Sequence, residues 1–140
     1  MTDVPIAFPD PQLSTRDLLR MLLAGRTEPE AADVTVSTRV LPGDDTSRSL
    51  PYVRVRTNGS LRDARLNGRA SVQISVWHRD EGLAVALATL IEALLLAATS
   101  DTIRGFSPVS GPLPTSDPDN GLPLAFTTLT ARLRPRLLTP

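Results

Sequence analysis

Between residues 70 and 98 the apolar period of this chain changes from two to about 3.6, and that change restricts the fold more than any other feature. Val72, Ile74 and Val76 alternate with Ser71, Gln73 and Ser75, the pattern of a strand with one buried face. Asp80 follows, a good helix N-cap, with Glu81 in the first turn. Leu83, Leu87, Leu90, Ile91, Leu94 and Leu95 then fall at i, i+4, i+7, i+8, i+11 and i+12 and make one helical stripe. Such a strand, running straight into such a helix, needs a layer of sheet packed on a layer of helix. The apolar run is shorter than the roughly 20 residues of a membrane span, so this is expected to be the core helix, ending near Thr99, Ser100 and Asp101.

Residues 1–13 carry Pro5, Pro9 and Pro11 and are expected to form an extended arm, lying on its own domain or on a neighbouring subunit. A first helix is expected from Ser14, with Ser14 as cap, Leu13 and Leu18 as a staple, and Leu18, Leu19, Leu22 and Leu23 as its apolar stripe, stopping at Gly25. Its expected length is roughly 16 Å.

Residues 34–41 alternate as a strand, with Val34, Val36, Thr38 and Val40 on one face, and Pro42, Gly43, Asp44 and Asp45 break it. A second strand covers residues 52–57, with Val53 and Val55 opposite Arg54 and Arg56. Residues 58–69 hold two turn signals, Asn58-Gly59 and Asn67-Gly68, and are expected to form a long exposed, mobile excursion rather than a tight hairpin. The strand at residues 70–77 follows. After the core helix, a short strand is expected around residues 103–109, a turn at residues 117–121, and a last strand over residues 124–133 that alternates Ala125, Thr127, Leu129, Ala131 and Leu133 inward.

The expected fold is therefore α+β: a mainly antiparallel four- to five-stranded sheet with two helices packed on one face. It fills a single domain over residues 14–134, with a C-terminal tail at 135–140.

Composition excludes several function classes. Cysteine is absent, so disulfides and thiolate metal sites are ruled out. His78 is the only histidine, so no site can use two imidazoles. Fifteen basic residues, all arginine, balance fifteen acidic ones, which argues against nucleic-acid binding driven by overall charge. Residues 1–5 lack the basic start and apolar run of a signal peptide, so synthesis in the cytosol is expected.

Candidate chemistry is sparse. His78 follows Trp77 at a strand end and is expected to face solvent or help cap the helix rather than act as a base. No Gly-x-Ser-x-Gly elbow and no phosphate loop occurs. Asp117-Pro118-Asp119-Asn120-Gly121 resembles half of a calcium loop, but its glycine is out of register and the closing glutamate is missing, so it reads as a plain turn. Asp44 and Asp45 are adjacent and aim apart on an extended chain. No catalytic residue, metal or cofactor is expected.

Arginine is the feature with functional content. Arg54, Arg56, Arg62, Arg65 and Arg69 crowd one strand and its excursion, and Arg132 and Arg134 lie near the C-terminus. They form either a solvated sheet face with local salt bridges or a surface that meets another subunit or lines a DNA channel. With five aromatic residues in the chain, base stacking has little support.

The order and spacing of these pieces resemble the tail-terminator (tail-completion) proteins of siphophages infecting actinobacteria. The resemblance rests on the leucine-rich helix at residues 16–23, the proline-led strand Leu50-Pro51-Tyr52-Val53-Arg54-Val55-Arg56, and the strand at residues 69–77 that ends in Trp77 and enters the apolar helix. Gly111-Pro112-Leu113-Pro114 and the turn feeding the closing strand complete it, so that it spans residues 14–134. The resemblance implies a structural virion protein: a ring, usually a hexamer, that caps the finished tail tube and joins it to the head–tail connector. Its implied partners are further copies of itself, the tail-tube protein and neck proteins, with genome DNA passing through the lumen and no membrane involved. Its implied place is the tail–neck junction, after assembly in the host cytoplasm. Deleting residues 60–66 is expected to leave a folded monomer that no longer assembles.

Other readings stay open. One is another neck or tail component, such as a head-completion protein, a stopper or a tube subunit. A small regulatory nucleic-acid-binding module would need a basic helix, and neither expected helix supplies one. A small hydrolase or isomerase would need a convergent titratable cluster.

Overall fold

The computed structural model describes residues 3–41 and 50–139. The expected break at Pro42, Gly43, Asp44 and Asp45, and the final Pro140, lie outside the described residues.

The first helix, α1 (Pro11–Ala24), starts earlier than the sequence suggested. Asp10, not Ser14, is its cap: Asp10 Oδ1 accepts the backbone N–H groups of Gln12 and Leu13 at 2.9 and 3.1 Å. Pro11 sits in the first turn, where a missing N–H costs nothing and the fixed φ suits the helix. The extended arm is shorter accordingly, and α1 is about 21 Å long. Leu18, Leu19 and Leu23 are buried, and Gly25 closes the helix.

The second helix, α2 (Glu81–Leu96), is capped by Asp80, which accepts the Gly82 N–H at 2.7 Å. The leucine stripe is displaced from the true contact line. Leu87, Ile91 and Leu95 are fully buried together with Ala84 and Ala88, while Leu83, Leu90 and Leu94 are half-buried flanks. The small alanines let the helix axis approach the sheet, so the line of contact runs along Ala84, Leu87, Ala88, Ile91 and Leu95, one edge of the expected stripe.

The strands β2 (Thr35–Ser37), β3 (Tyr52–Ala64), β4 (Asn67–Trp77), β5 (Ile103–Ser116) and β6 (Pro123–Leu133) form one sheet in the order β2-β3-β4-β6-β5. All pairings are antiparallel except β2 with β3, so the sheet is mixed. β2 is shorter than expected: it stops at Ser37, Ser37 Oγ accepts the Arg39 N–H, and Val40 is exposed instead of sharing a face with Val36.

Residues 58–69 are not a free excursion. β3 and β4 continue as a hairpin out to Ala64 and Asn67, with the turn at Arg65 and Leu66. Asn58-Gly59 is a bulge, marked by a register shift between Thr57 and Ser60 and by φ +99° at Gly59, a left-handed value that glycine adopts freely. Asn67-Gly68 lies within the paired ladder. β5 is also longer than expected, and it carries Pro108, Pro112 and Pro114. As the outermost strand, β5 can lack N–H groups on its free side.

The arm and the tail meet. β1 (Ile6–Ala7) pairs antiparallel with β7 (Arg136–Leu137), so part of the expected C-terminal tail is a strand. The arm lies on its own chain: Phe8 packs on Gly68, where a Cβ would come within 2.9 Å of the ring. The Arg62 guanidinium lies 4.7 Å above the Phe8 ring centroid and donates to the Ile6 carbonyl at 2.7 Å. Arg65 donates to the Val4 carbonyl.

Both helices pack on one face of the sheet, over Val53, Val55, Val72, Ile74, Val76, Leu129 and Leu133. The opposite face has a smaller apolar cluster at one end. Tyr52, Trp77 and Leu124 stand in one row across three strands, covered by Leu41 and Leu50. The Tyr52 and Trp77 rings meet edge to face at 5.9 Å.

Candidate interaction surface

Strand alternation decides where each arginine points. Along β4, residues 69, 71, 73, 75 and 77 face away from the helices, and their partners on β6 are Arg132, Thr130, Thr128, Phe126 and Leu124. On β3, Arg54 and Arg56 oppose Ser75 and Gln73 on that same face. Beyond the apolar row the open face is therefore hydroxyl-rich and carries Arg54, Arg56, Arg69 and Arg132. Arg54 is half-buried, and the other three are exposed. Arg69 and Arg132 are direct cross-strand neighbours, a like-charge pair. Asp63 offsets it, with its Oδ2 3.3 Å from Arg69 Nε.

The remaining three arginines of the sequence group do not join this surface. The bulge at Asn58-Gly59 shifts β3 by one residue, so Arg62 stands on the helix side of the sheet, opposite Gly68. Arg62 and Arg65 hold the arm, as described. At another corner Arg134 Nε donates to the Ser100 carbonyl at 2.7 Å, and the Arg134 N–H donates to the Thr102 carbonyl. These three act as ties to the main chain.

Sequence reasoning passed over several such ties. Arg20 Nε donates to the Val36 carbonyl at 2.8 Å and so covers the edge strand β2. Gln12 Oε1 accepts the Thr57 N–H at 3.0 Å, where β3 has run past β2. A single sequence gives no signal for either, because both contacts join distant segments through one side chain. Beside β2 a hollow of about 410 Å³ is lined by Arg20, Leu23, Ala24, Val34, Thr35 and Val36, and among the described residues Arg20 is the charged one in its wall.

His78, expected to face solvent or help cap the helix, is buried, and the cap of α2 is Asp80. The Arg79 N–H donates to Nδ1 at 2.9 Å, and Nε2 lies 2.9 Å from the Glu30 carbonyl. This network assigns the proton to Nε2, which donates to that carbonyl. Both ring nitrogens are thus engaged by the backbone, joining the 3-10 turn Pro29–Ala31 to the end of β4. His78→Ala should lower stability by about 2–3 kcal/mol, through a lost donor to a buried carbonyl and a cavity. A denaturant midpoint unchanged from the wild type would contradict that role.

No protein-family model matches this chain, and no curated protein matches it at a significant level. Among solved structures, a chain from the virion of a native gene transfer agent (GTA) particle is similar to it. The two share a fold. The TM-score is 0.56, the match covers 88% of this chain and 89% of that one, and 17% of residues are identical.

Proposed function

We propose that this chain is a structural component of a virion, not an enzyme, and that within the virion it is a tail terminator. The observation that carries the proposal is the fold match, which runs across nearly the whole of both chains rather than over one shared motif. The order of elements that resembles tail terminators supports the finer role.

In that role, copies of the chain close into a ring, with six the usual number, at the end of the tail tube. The ring contacts the tube protein on one side and head–tail connector or neck proteins on the other, and DNA passes through it without sequence readout. The arginines of the open sheet face, Arg54, Arg56, Arg69 and Arg132, suit a lumen or a neighbouring subunit, since guanidinium groups serve phosphate and carboxylate equally well. Arg62, Arg65 and Arg134 contribute by fixing the hairpin and the terminal segments that surround that face.

The test is to locate the chain in particles. Cryo-EM of virions carrying it should show ring density at the junction of tail tube and neck that fits this fold. Particles lacking the chain altogether would overturn the proposal. Deleting residues 60–66 is a poor probe of assembly, because it also removes Arg62 and Arg65 and so frees the arm.

A further inference from the structure

The two long hairpins of the sheet carry opposite charge and point in opposite directions. The β3–β4 hairpin holds Arg54, Arg56, Arg62, Arg65 and Arg69 against the single Asp63. From residue 105 to residue 131, which spans most of β5, the connecting turn and β6, the only charged residues are Asp117 and Asp119. Row pairing places the two turns at opposite ends of the ladder. Gly68 pairs with Leu133 near the Arg65-Leu66 turn, and Trp77 pairs with Leu124 near the Asp117 turn, roughly 30 Å away by strand rise. They also lie toward opposite lateral edges, since β3 is next to one end of the strand order and β5 is the other end.

Each hairpin also has apolar side chains in the open: Leu61 and Leu66 at or near the basic turn, and Val109 and Leu113 eight and four residues before Asp117 on β5. Leu61 and Leu66 are 54% and 52% exposed on the basic hairpin, and Val109 and Leu113 are 60% and 58% exposed on the acidic side. The acidic turn is also rigidly mounted. Asp117 Oδ2 accepts the Trp77 indole N–H at 2.8 Å, Asp117 Oδ1 accepts the Asp119 N–H at 2.8 Å, and Asp119 is exposed.

We infer that the Arg65-Leu66 turn of one copy seats on the Asp117–Asp119 turn of the next, head to tail. The occupant of each surface is a second copy of this chain. When each copy offers one patch to one neighbour and the other patch to the next, the contact is heterologous, and repeated it gives a closed ring or a filament. Opposite charge sets the register of the contact, and the exposed leucines and valine supply apolar area to bury. The inference rests on the reading of this chain as a ring subunit and adds which surfaces make the ring.

Because the chain has no cysteine, single thiols placed at Leu66→Cys and Pro118→Cys report the contact without background. With a short bis-maleimide, a mixture of the two variants should give cross-linked dimers at least about tenfold above either variant alone. Cross-linking of one variant with itself at that level would overturn the inference. Charge exchange gives a second readout. Leu66→Glu, which leaves the Arg65 tie to the arm in place, and Asp119→Arg should each weaken self-association about tenfold, and the double variant should recover it, as facing turns require. A double variant as weak as the sum of both changes would overturn the contact. Rings that persist at wild-type strength in both single variants would overturn the contact alone and leave the terminator reading standing. A wild-type chain that stays monomeric at every concentration and on tail tubes removes both.

Discussion

Ile91→Ala is expected to destabilise the chain by about 3–4 kcal/mol, lowering the thermal midpoint by roughly 10 °C. Ile91 lies mid-helix in α2, fully buried with Leu87 and Leu95, and it belongs to the cluster that joins both helices to the sheet. Removing its outer carbons loses the transfer energy of the buried atoms. It also leaves a void that flanking alanines Ala84 and Ala88 are too small to fill. Leu96→Ala serves as the control. Leu96 is 40% exposed at the end of the same helix, so its loss should cost less than about 1 kcal/mol. Differential scanning calorimetry of both variants checks the pair, and equal losses would show that α2 is not seated by the face described.

Gly111→Ala is expected to cost about 3 kcal/mol despite adding one methyl group at an exposed position. The backbone there has φ +96°, a left-handed conformation that disfavours a side chain by roughly 1–2 kcal/mol. The added Cβ would also lie 2.4 Å from the Phe126 carbonyl oxygen and 2.9 Å from Thr127 Cα, both backbone atoms that cannot rotate away. Gly121 separates the two effects. It has φ +74° with nothing within 4 Å of an added Cβ, so Gly121→Ala should cost only about 1 kcal/mol. Urea unfolding of the two variants measures the difference directly. If they fell equally, the strain would come from φ alone, and the close approach of β5 to β6 at Gly111 would carry no weight.

Which parts of this fold the sequence announced follows from what each segment touches. The segments that bury one face against helices have a readable period: Val72, Ile74 and Val76, Leu18 and Leu19, and the inward set on β6 all stand where alternation put them. Beyond Thr57 every residue of β3 is exposed, and on β4 the arm's Phe8 packs on Gly68. The cross-strand pairs there, Ser60 with Ala70, Leu61 with Arg69, Arg62 with Gly68 and Ala64 with Asn67, mix apolar and polar residues and leave no apolar period to read. The same gap explains the two Asn-Gly dipeptides. Both are good turn formers in isolation, yet ladder continuity made one a bulge and the other a paired stretch. The expected strand at residues 103–109 stops before Gly111, Pro112 and Pro114, whereas an edge strand tolerates prolines and β5 runs on to Ser116.

The candidate surface was legible only in part, for a related reason. Arg54 and Arg56 kept their common face, and Arg69 and Arg132 joined them across the sheet. Arg62 departed because one extra residue at the bulge reverses the alternation, a change that composition cannot display. His78 was misjudged because its environment is set by Glu30, which lies far away in sequence.

The pairing of Ile6 with Leu137 joins nearly the two extremes of the chain through a ladder of two residues, with Arg136 and Leu137 both exposed. So short a ladder, with the side chains of β7 exposed, gains little against the entropy of ordering a terminal segment. Phe8, Arg62 and Arg65 hold the N-terminal segment independently of its partner strand. The last strand should therefore fray on its own: its amides would exchange with solvent in the first wave, while the segment it leaves behind stays docked.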